Sequence, residues 1–581
     1  MAEAYNPLTR FESEFKDSFA KNASDCFEKL AIESGIDPAE NARLVGEYNV
    51  YTQKFEAADS RHTAYGWGIF FMVVALIGSV AAGIWAFLGE KADFEAKGID
   101  PAILAIICLL IAFGSILAMA LWLVPARKRA KELRDACKAK ADEFRQQAEE
   151  QMLALNKLYT WDIAVRIIEK TMPDVIFDTF SNEARMLQFN QEFGWDGIFG
   201  NDASVLFTQT GELAGNPFAF CKLLCMNWGT ETYTGSITIH WTTVERDSKG
   251  RRYTQHHTQT LTASVTKPKP EYVESTIFVF ANEAAPNLSF TRACSGLAQK
   301  ADSFLGRLSI KRTRSELEAF SRNLEDESNY TMMANKDFET FFNTKDRDHE
   351  VEFRVLFTPM AQKSIIDLLK DTKSGYGDDF DFNKDHKINI IRARHLNEID
   401  LDTRPERFYN FSLEEARKNF VSWTCEYFRS IYFSMAPVLS IPIYMQTLPQ
   451  SKLDVYPELA LKSANAWECE ATANYIGESY FAHPSSVTRN ILKVGKTTES
   501  ADMRSVDVTA YGYRTVKHTE IVSVFGGDGR FHDVPVKWLE YLPVSQNRQF
   551  NISEATRAMQ DSASSIRDKA DFMRRKIFVF R

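Results

Sequence analysis

Residues 65–88, YGWGIFFMVVALIGSVAAGIWAFL, and residues 102–124, AILAIICLLIAFGSILAMALWLV, carry no charged side chain, and thirteen residues separate them. At about 1.5 Å rise per residue, roughly 20 apolar residues in a helix already cross the hydrocarbon of a bilayer. The two stretches therefore predict a transmembrane helical hairpin. Trp67, Trp85 and Trp122 fall near the ends of the spans, where amphipathic rings anchor at the interface. Ionisable groups inside a span usually mark ion or proton paths, and both runs lack them, so a transporter or pump built from these two helices is not expected. Small residues recur at a spacing of four, as Gly78 and Ala82, Ser79 and Gly83, and Gly114 and Ala118. That spacing lets helix backbones approach closely, either inside the hairpin or between protomers.

The flanks set the orientation. Arg127, Lys128, Arg129, Lys131 and Arg134 follow the second run, opposed only by Glu132 and Asp135, whereas Lys91 and Lys97 share the intervening loop with four acids. Basic residues close to a span mark the cytoplasmic side, so both termini are expected there. The same cluster could hold anionic lipid headgroups. The first span lies behind some 60 mostly polar residues with no basic start, which argues against a cleaved signal peptide.

The 581 residues leave room for two or three further domains with cores of their own. A net charge of −9 argues against non-specific nucleic-acid binding, which works by displacing counterions from a basic face. The eight cysteines lie on the predicted cytoplasmic side or, for Cys108, in a span, so reduced thiols are expected. Cys221 and Cys225 form the one close pair; no neighbour completes a zinc quartet, and buried core thiols are the reading.

Around the spans the periodicity is helical. Phe11, Phe15, Phe19, Ala23 and Phe27 make one stripe, and Leu44, Tyr48, Tyr51, Phe55 and Ala58 another that runs into the first span. Leu133, Cys137, Ala141, Phe144, Ala148, Met152 and Leu155 keep an 11-residue period, expected of a nearly straight helical pair. Both transmembrane helices thus continue as a stalk roughly 50 Å long over residues 126–158. The stripes exceed what one stalk pair buries, which motivates a homo-oligomer.

After Pro173 the texture turns to β. Residues 235–244 and 253–265 alternate about an Asp247-Ser-Lys-Gly250 turn as a hairpin with one wet face, closed by Pro268 and Pro270. Residues 274–281 and 351–357 read as strands, and Thr358-Pro359 caps a helix. Ser412-Leu-Glu-Glu415 opens a long aromatic helix, and residues 431–446, broken by Pro437 and Pro442, are too short to span and belong to a core. Residues 506–513, 515–525 and 531–536 read as strands, and Met559, Ala563, Ile566, Ala570, Met573 and Ile577 as a closing helix.

The predicted fold class is an α+β membrane protein: a transmembrane hairpin, a helical stalk and a mixed, largely antiparallel β-rich cytoplasmic head. Its divisions are residues 1–63 (helices), 64–125 (hairpin), 126–172 (stalk), 173–325 (β-rich), 326–450 (α+β), 451–550 (β-rich) and 551–581 (helix).

Three motifs tempt. Gly526-Gly-Asp-Gly529 resembles the glycine-rich turn of lipid and NAD kinases, whose backbone approaches phosphate. Here Arg530 stands in place of the threonine of that family and a strand follows, so a hairpin turn is preferred. Residues 381–389 resemble the first nine positions of a calcium loop, but His386 replaces the glycine and Arg392 the final acid, which leaves a polar turn. His256 and His257 lie on opposite faces of a strand and cannot chelate together; His532-Asp533 has the same problem. No cofactor or metal site is expected. The basic and aromatic residues 572–581 could form an amphipathic foot on a bilayer or, more commonly for such an end, dock into their own domain.

Residues 235–239 (GSITI), the Asp247–Gly250 turn, 260–272 (TLTASVTKPKPEY), 282–290 (NEAAPNLSF), 338–342 (FETFF), 352–359 (EFRVLFTP) and the hairpin over 526–543 carry a likeness. Together they are similar to uncharacterised bacterial two-transmembrane proteins with a large cytoplasmic domain of unknown function. The resemblance implies a bacterial plasma membrane and brings no catalytic residue. The expected function is that of a membrane-anchored structural or scaffolding protein whose partners are the lipid bilayer, another copy and a cytoplasmic or membrane protein. The alternatives are a membrane-bound enzyme on a lipid or nucleotide, or an oligomeric pore.

Overall fold

The computed structural model describes residues 6–88, 100–246, 250–322, 330–446, 455–499, 503–554, 570, 572–575 and 577–581. The loop over 89–99, turn residues 247–249 and the expected closing-helix positions Met559, Ala563 and Ile566 lie outside the described residues. The chain forms two compact units: residues 24–159 with 405–422, and residues 1–23 with 160–404 and 423–581.

In the first unit, Pro38–Leu88 is one helix of 51 residues, about 76 Å long at 1.5 Å per residue. Asp37 caps it, its carboxylate accepting from the backbone N–H groups of Ala39 and Glu40. The chain returns as Pro101–Ala118, a π-helical turn Met119–Leu123, and Val124–Asn156. Ala130, Cys137, Ala141, Ala148, Met152 and Leu155 are buried along the return helix, as the 11-residue period predicts; Leu133 is exposed. Polar bonds fix the register of the pair. Asn41 Nδ2 donates to Gln151 Oε1 at 3.1 Å, Lys140 Nζ to Tyr51 Oη at 3.4 Å, and Arg134 pairs with Asp59 at 3.5 Å.

The two apolar runs are long and apolar enough to cross a membrane, and only 6% and 11% of their most apolar windows is buried. Phe70, Phe71, Ile77, Leu109, Leu110 and Phe113 are among the large side chains left exposed. A core helix of a water-soluble domain would bury that surface.

The second unit is built on two antiparallel sheets. In chain order the strands are β1 (Val175–Phe177), β2 (Ala203–Leu213), β3 (Asn216–Arg246), β4 (Arg252–Ala281), β5 (Ser289–Arg292), β6 (Phe380–Asp385), β7 (Ile388–Ala393), β8 (Ile491–Glu499), β9 (Arg504–Phe525), β10 (Phe531–Glu554), β11 (Phe572–Arg574) and β12 (Ile577–Phe580). One sheet runs β1-β2-β3-β4-β7-β6-β5 and the other β11-β12-β10-β9-β8. The larger sheet draws strands from residues 173–325 and 326–450 alike.

Helix Ala466–Ile476 lies between the sheets. Trp467 and Ala471 join Phe189, Val205, Ala219 and Ile277, while Cys469 and Ala473 join Val506, Val508, Phe550 and Ile577. Small residues let both sheets approach it, and everything from Trp467 to Ala473 is buried. Its acids are consequently paired: Glu470 with Lys493 at 2.9 Å, and Glu468 with Arg574 at 3.4 Å and Arg575 at 3.1 Å.

The amino-terminal stripe packs inside the chain. Phe19 stacks on Phe428 at 4.2 Å, and Phe11 meets Phe428, Tyr432 and Phe433. In the first unit Phe27 likewise meets Phe420. Every-fourth spacing drifts by roughly 40° per step on an α-helix, and the wider π-helical turn Phe11–Phe15 offsets part of that drift. The stripe invoked for a second copy is thus covered by the chain's own helix Leu413–Leu439. That helix continues through Pro437, and Ile431, Tyr432, Met435, Val438 and Ile441 are core, as expected.

Three expectations are corrected. Residues 351–357 are not a strand but mostly helix Glu350–Leu356, because Phe353, Leu356 and Phe357 share one buried face at helical spacing. Pro268 and Pro270 do not end β4, since beyond β7 its outer edge needs no N–H donor. Met573 and Ile577 stand in strands β11 and β12, where β12 pairs with β10 from Asn551 to Glu554. An edge strand that finds a sheet satisfies its backbone and its apolar side chains together, which overrides a helical pattern.

One buried cation gives a pH signature. Lys384 donates to the carbonyls of Ala284 and His386, and burial pushes its amine down to about 7 from 10.5. Between those values the unfolded chain binds more protons. Stability therefore rises with pH across the window, by at most about 1.4 kcal/mol per unit from this group; the same contribution is lost as pH falls from 10.5 towards 7, below which both states are protonated. Thermal midpoints measured from pH 7 to 10 should climb less steeply in Lys384→Met than in the parent.

Candidate interaction site on a two-hairpin arm

The hairpin of β3 and β4 outruns its sheet. β2 leaves β3 at Cys225 and β7 reaches β4 only from Phe278 onward, yet β3 and β4 stay paired from Phe218↔Phe280 to Arg246↔Arg252. The distal half is a ribbon without lateral strands among the described residues. The hairpin of β9 and β10, in register from Arg504↔Ile552 to Phe525↔Phe531, covers its inner face. Ile239, Leu261, Ala263, Val534 and Val536 are buried between them, flanked by Tyr233, Trp241, Val265 and Val522. Gly235 makes the approach possible: a Cβ there would stand 2.2 Å from the carbonyl oxygen of Pro535. Lys267 pairs with Glu520 at 2.6 Å and lies over the Trp538 ring, tying the layers at the side.

The outer face is unlike an ordinary surface. Eight facing pairs, from Thr230↔Pro268 in steps of two to Val244↔Thr254, are all exposed. Twelve of these sixteen positions are Thr or Ser, two are His240 and His256, and none is Lys, Arg, Asp or Glu. A typical surface of that size would carry about four or five charges. Hydroxyls join across the strands, Thr232 with Thr266 at 3.1 Å, Thr238 with Thr260 at 3.3 Å, and His240 with Thr258 at 3.0 Å. β-branched carbons keep the ribbon extended and hydroxyls keep it wettable. The strip is roughly 48 Å long at about 3.4 Å per residue.

The edges are guarded unevenly. β4 carries Pro268 and Pro270 and β10 carries Pro535 and Pro543, residues that cannot donate to an added strand. Residues 226–246 of β3 and 512–525 of β9 contain no proline. The threonine face and the unguarded β3 edge together present hydroxyls, methyls and main-chain groups, the groups that strand addition uses.

The glycine-rich turn is the tip of the second hairpin, as expected, and its N–H groups are engaged. Gly526 donates to Arg530, Gly529 to Gly526, and Gly527 to the Gln259 side chain at 2.7 Å. Asp528 accepts from Arg530 and pairs with His532 at 2.9 Å, which holds its carboxyl below the usual range. A phosphate would find those glycine donors taken and a carboxylate beside them.

The other candidates separate likewise. Residues 381–389 run from β6 through the turn at His386 and Lys387 into β7, with His386 at φ +54°; Asp381 accepts from Cys294 N, and Asn389 bonds Phe280 and Tyr444. His257 stacks on Trp241 while His256 is on the exposed face. Cys221 is buried, which pushes its thiol up to about 12, and Cys225 is partly buried beside the same core. Among the described residues, no three His, Cys, Asp or Glu converge as metal ligands. A cavity of about 440 Å³ at the root of the arm is lined by Tyr272, Tyr511, Tyr513, Met226 and Ile491, and neither carboxylate nor imidazole lines it.

Of the basic cluster, Lys128, Arg129 and Lys131 are exposed, whereas Arg127 reaches His62 and Arg134 pairs with Asp59 and Asp135. Gly83 faces Cys108 inside the hairpin; Gly78 and Gly114 open outward, and Ala82 and Ala118 are half-buried. The terminal residues dock into the second sheet, with Ile577, Phe578 and Val579 buried, so they are not a foot on the bilayer. Sequence reading registered the wet face of the first hairpin but missed the second layer on its other side; the alternation in 519–536, matching that in 237–263, was the available signal. Compared with protein-family models, curated proteins and solved structures, the chain matches none.

Proposed function

We propose that this chain is a membrane-anchored scaffolding protein that crosses a bacterial plasma membrane twice, keeps both termini in the cytoplasm and presents the two-hairpin arm to another protein. The observation that carries this reading is the charge-free threonine face beside an unguarded strand edge. A surface of that composition has no need of solubilising charge if a partner covers it. The exposed apolar runs and the basic residues after the second run support the anchor and its orientation.

The test is photo-crosslinking in intact cells with benzoylphenylalanine at Ser236. One discrete protein adduct is expected, lost in Thr238→Lys/Thr260→Lys while the thermal midpoint moves by less than about 1 kcal/mol equivalent, as exposed positions allow. An adduct that survives both lysines, or none at all, removes the arm as the docking surface.

A further inference from the structure

Helix Phe304–Arg322 presents an outward face that solvent does not explain. Gly306 and Leu317 are buried and mark its packed side. At 100° per residue Phe304 and Leu308 fall on the opposite side and Leu305 on its flank, and they are 76%, 51% and 74% exposed. Arg307, Lys311 and Arg312 are exposed around them, and no acid occurs from residue 303 to 315. The carboxylate of Glu316 pairs with Arg312, and Arg314 pairs with Asp337 beyond the patch. Large apolar side chains ringed by cations on one helical face match an interfacial helix, whose apolar groups enter the acyl boundary while its cations meet phosphate.

We infer that the amino-terminal half of this helix docks on an anionic bilayer surface. The inference rests on the anchored reading above: a chain that carries its own hairpin keeps a bilayer at high effective concentration, so a short patch suffices. Charge complementarity selects lipid of negative headgroup, since the patch is cationic in a chain of net charge −9. The small apolar contribution makes the cations necessary, because three side chains alone bind weakly.

Hydrogen exchange of the full chain in nanodiscs tests it. Residues 304–312 should exchange at least about tenfold more slowly in discs of phosphatidylcholine with phosphatidylglycerol than in phosphatidylcholine alone, and Lys311→Glu/Arg312→Glu should erase the difference. Phe304→Ser/Leu308→Ser, which leaves Leu317 and the packed side intact, should erase it too. Equal exchange in both lipids overturns the inference. So does slowing that appears in lipid-free detergent and grows with protein concentration, which marks a second copy as the occupant. Extraction of the chain from discs by alkaline carbonate would defeat the anchor itself and is read separately.

Discussion

Glu468→Ala is expected to destabilise the β-rich unit by about 3–5 kcal/mol, the cost of leaving buried charge without its partner. Glu468 is fully buried and answers Arg574, itself 1% exposed, as well as Arg575, while accepting the N–H of Ser181 at 3.1 Å. Burial already lowers the Arg574 pKa, so removing the carboxylate leaves that guanidinium buried without its partner, while Arg575 keeps its bond to the Thr208 carbonyl. The terminal strands β11 and β12 should release first, because Arg574 ends β11 and, among the described residues, the only pairing to β10 is the short stretch of β12 along Asn551–Glu554. Urea titration followed by carboxypeptidase sensitivity reads both effects. A midpoint within 1 kcal/mol equivalent of the parent would show that the arginines find solvent, contrary to the packing described.

The second large effect belongs to Gly235. Alanine already supplies the atom that would collide with the Pro535 carbonyl, and backbone on both sides prevents a small adjustment. Gly235→Ala and Gly235→Val are therefore both expected to part the two hairpins, at about 1–3 kcal/mol for overpacking. The parted arm exposes Val534, Val536, Leu261 and Ile239, so limited proteolysis should cut within residues 226–272 and 512–545 while the remaining core resists. The Ser236 adduct should fall with it. Intact arms in both variants would mean that the layers slide past one another, and the tight contact would lose its importance.

Local and periodic features were legible in the residues themselves. Charge-free runs declared two long apolar helices, and the 11-residue spacing of Cys137, Ala141, Ala148, Met152 and Leu155 identified the face they bury. Cap chemistry also read true: Thr358 accepts from Ala361 N, and Ser412 from Glu415 N. The threonine alternation announced a wet ribbon face. Where reading failed, a distant partner decided. Phe353 and Phe357 look like strand residues until Phe290 and Phe342 supply the core that a helix fits.

What composition and spacing settled, unaided, are the properties each segment carries within itself: which helices are apolar, which strands alternate, where caps and turns fall. The stacking of two hairpins into an arm and the docking of the last strands on Glu468 were decided by contacts between residues more than a hundred positions apart. Periodicity records that a face is buried or wet, because hydrophobic burial is non-directional; it does not record against what.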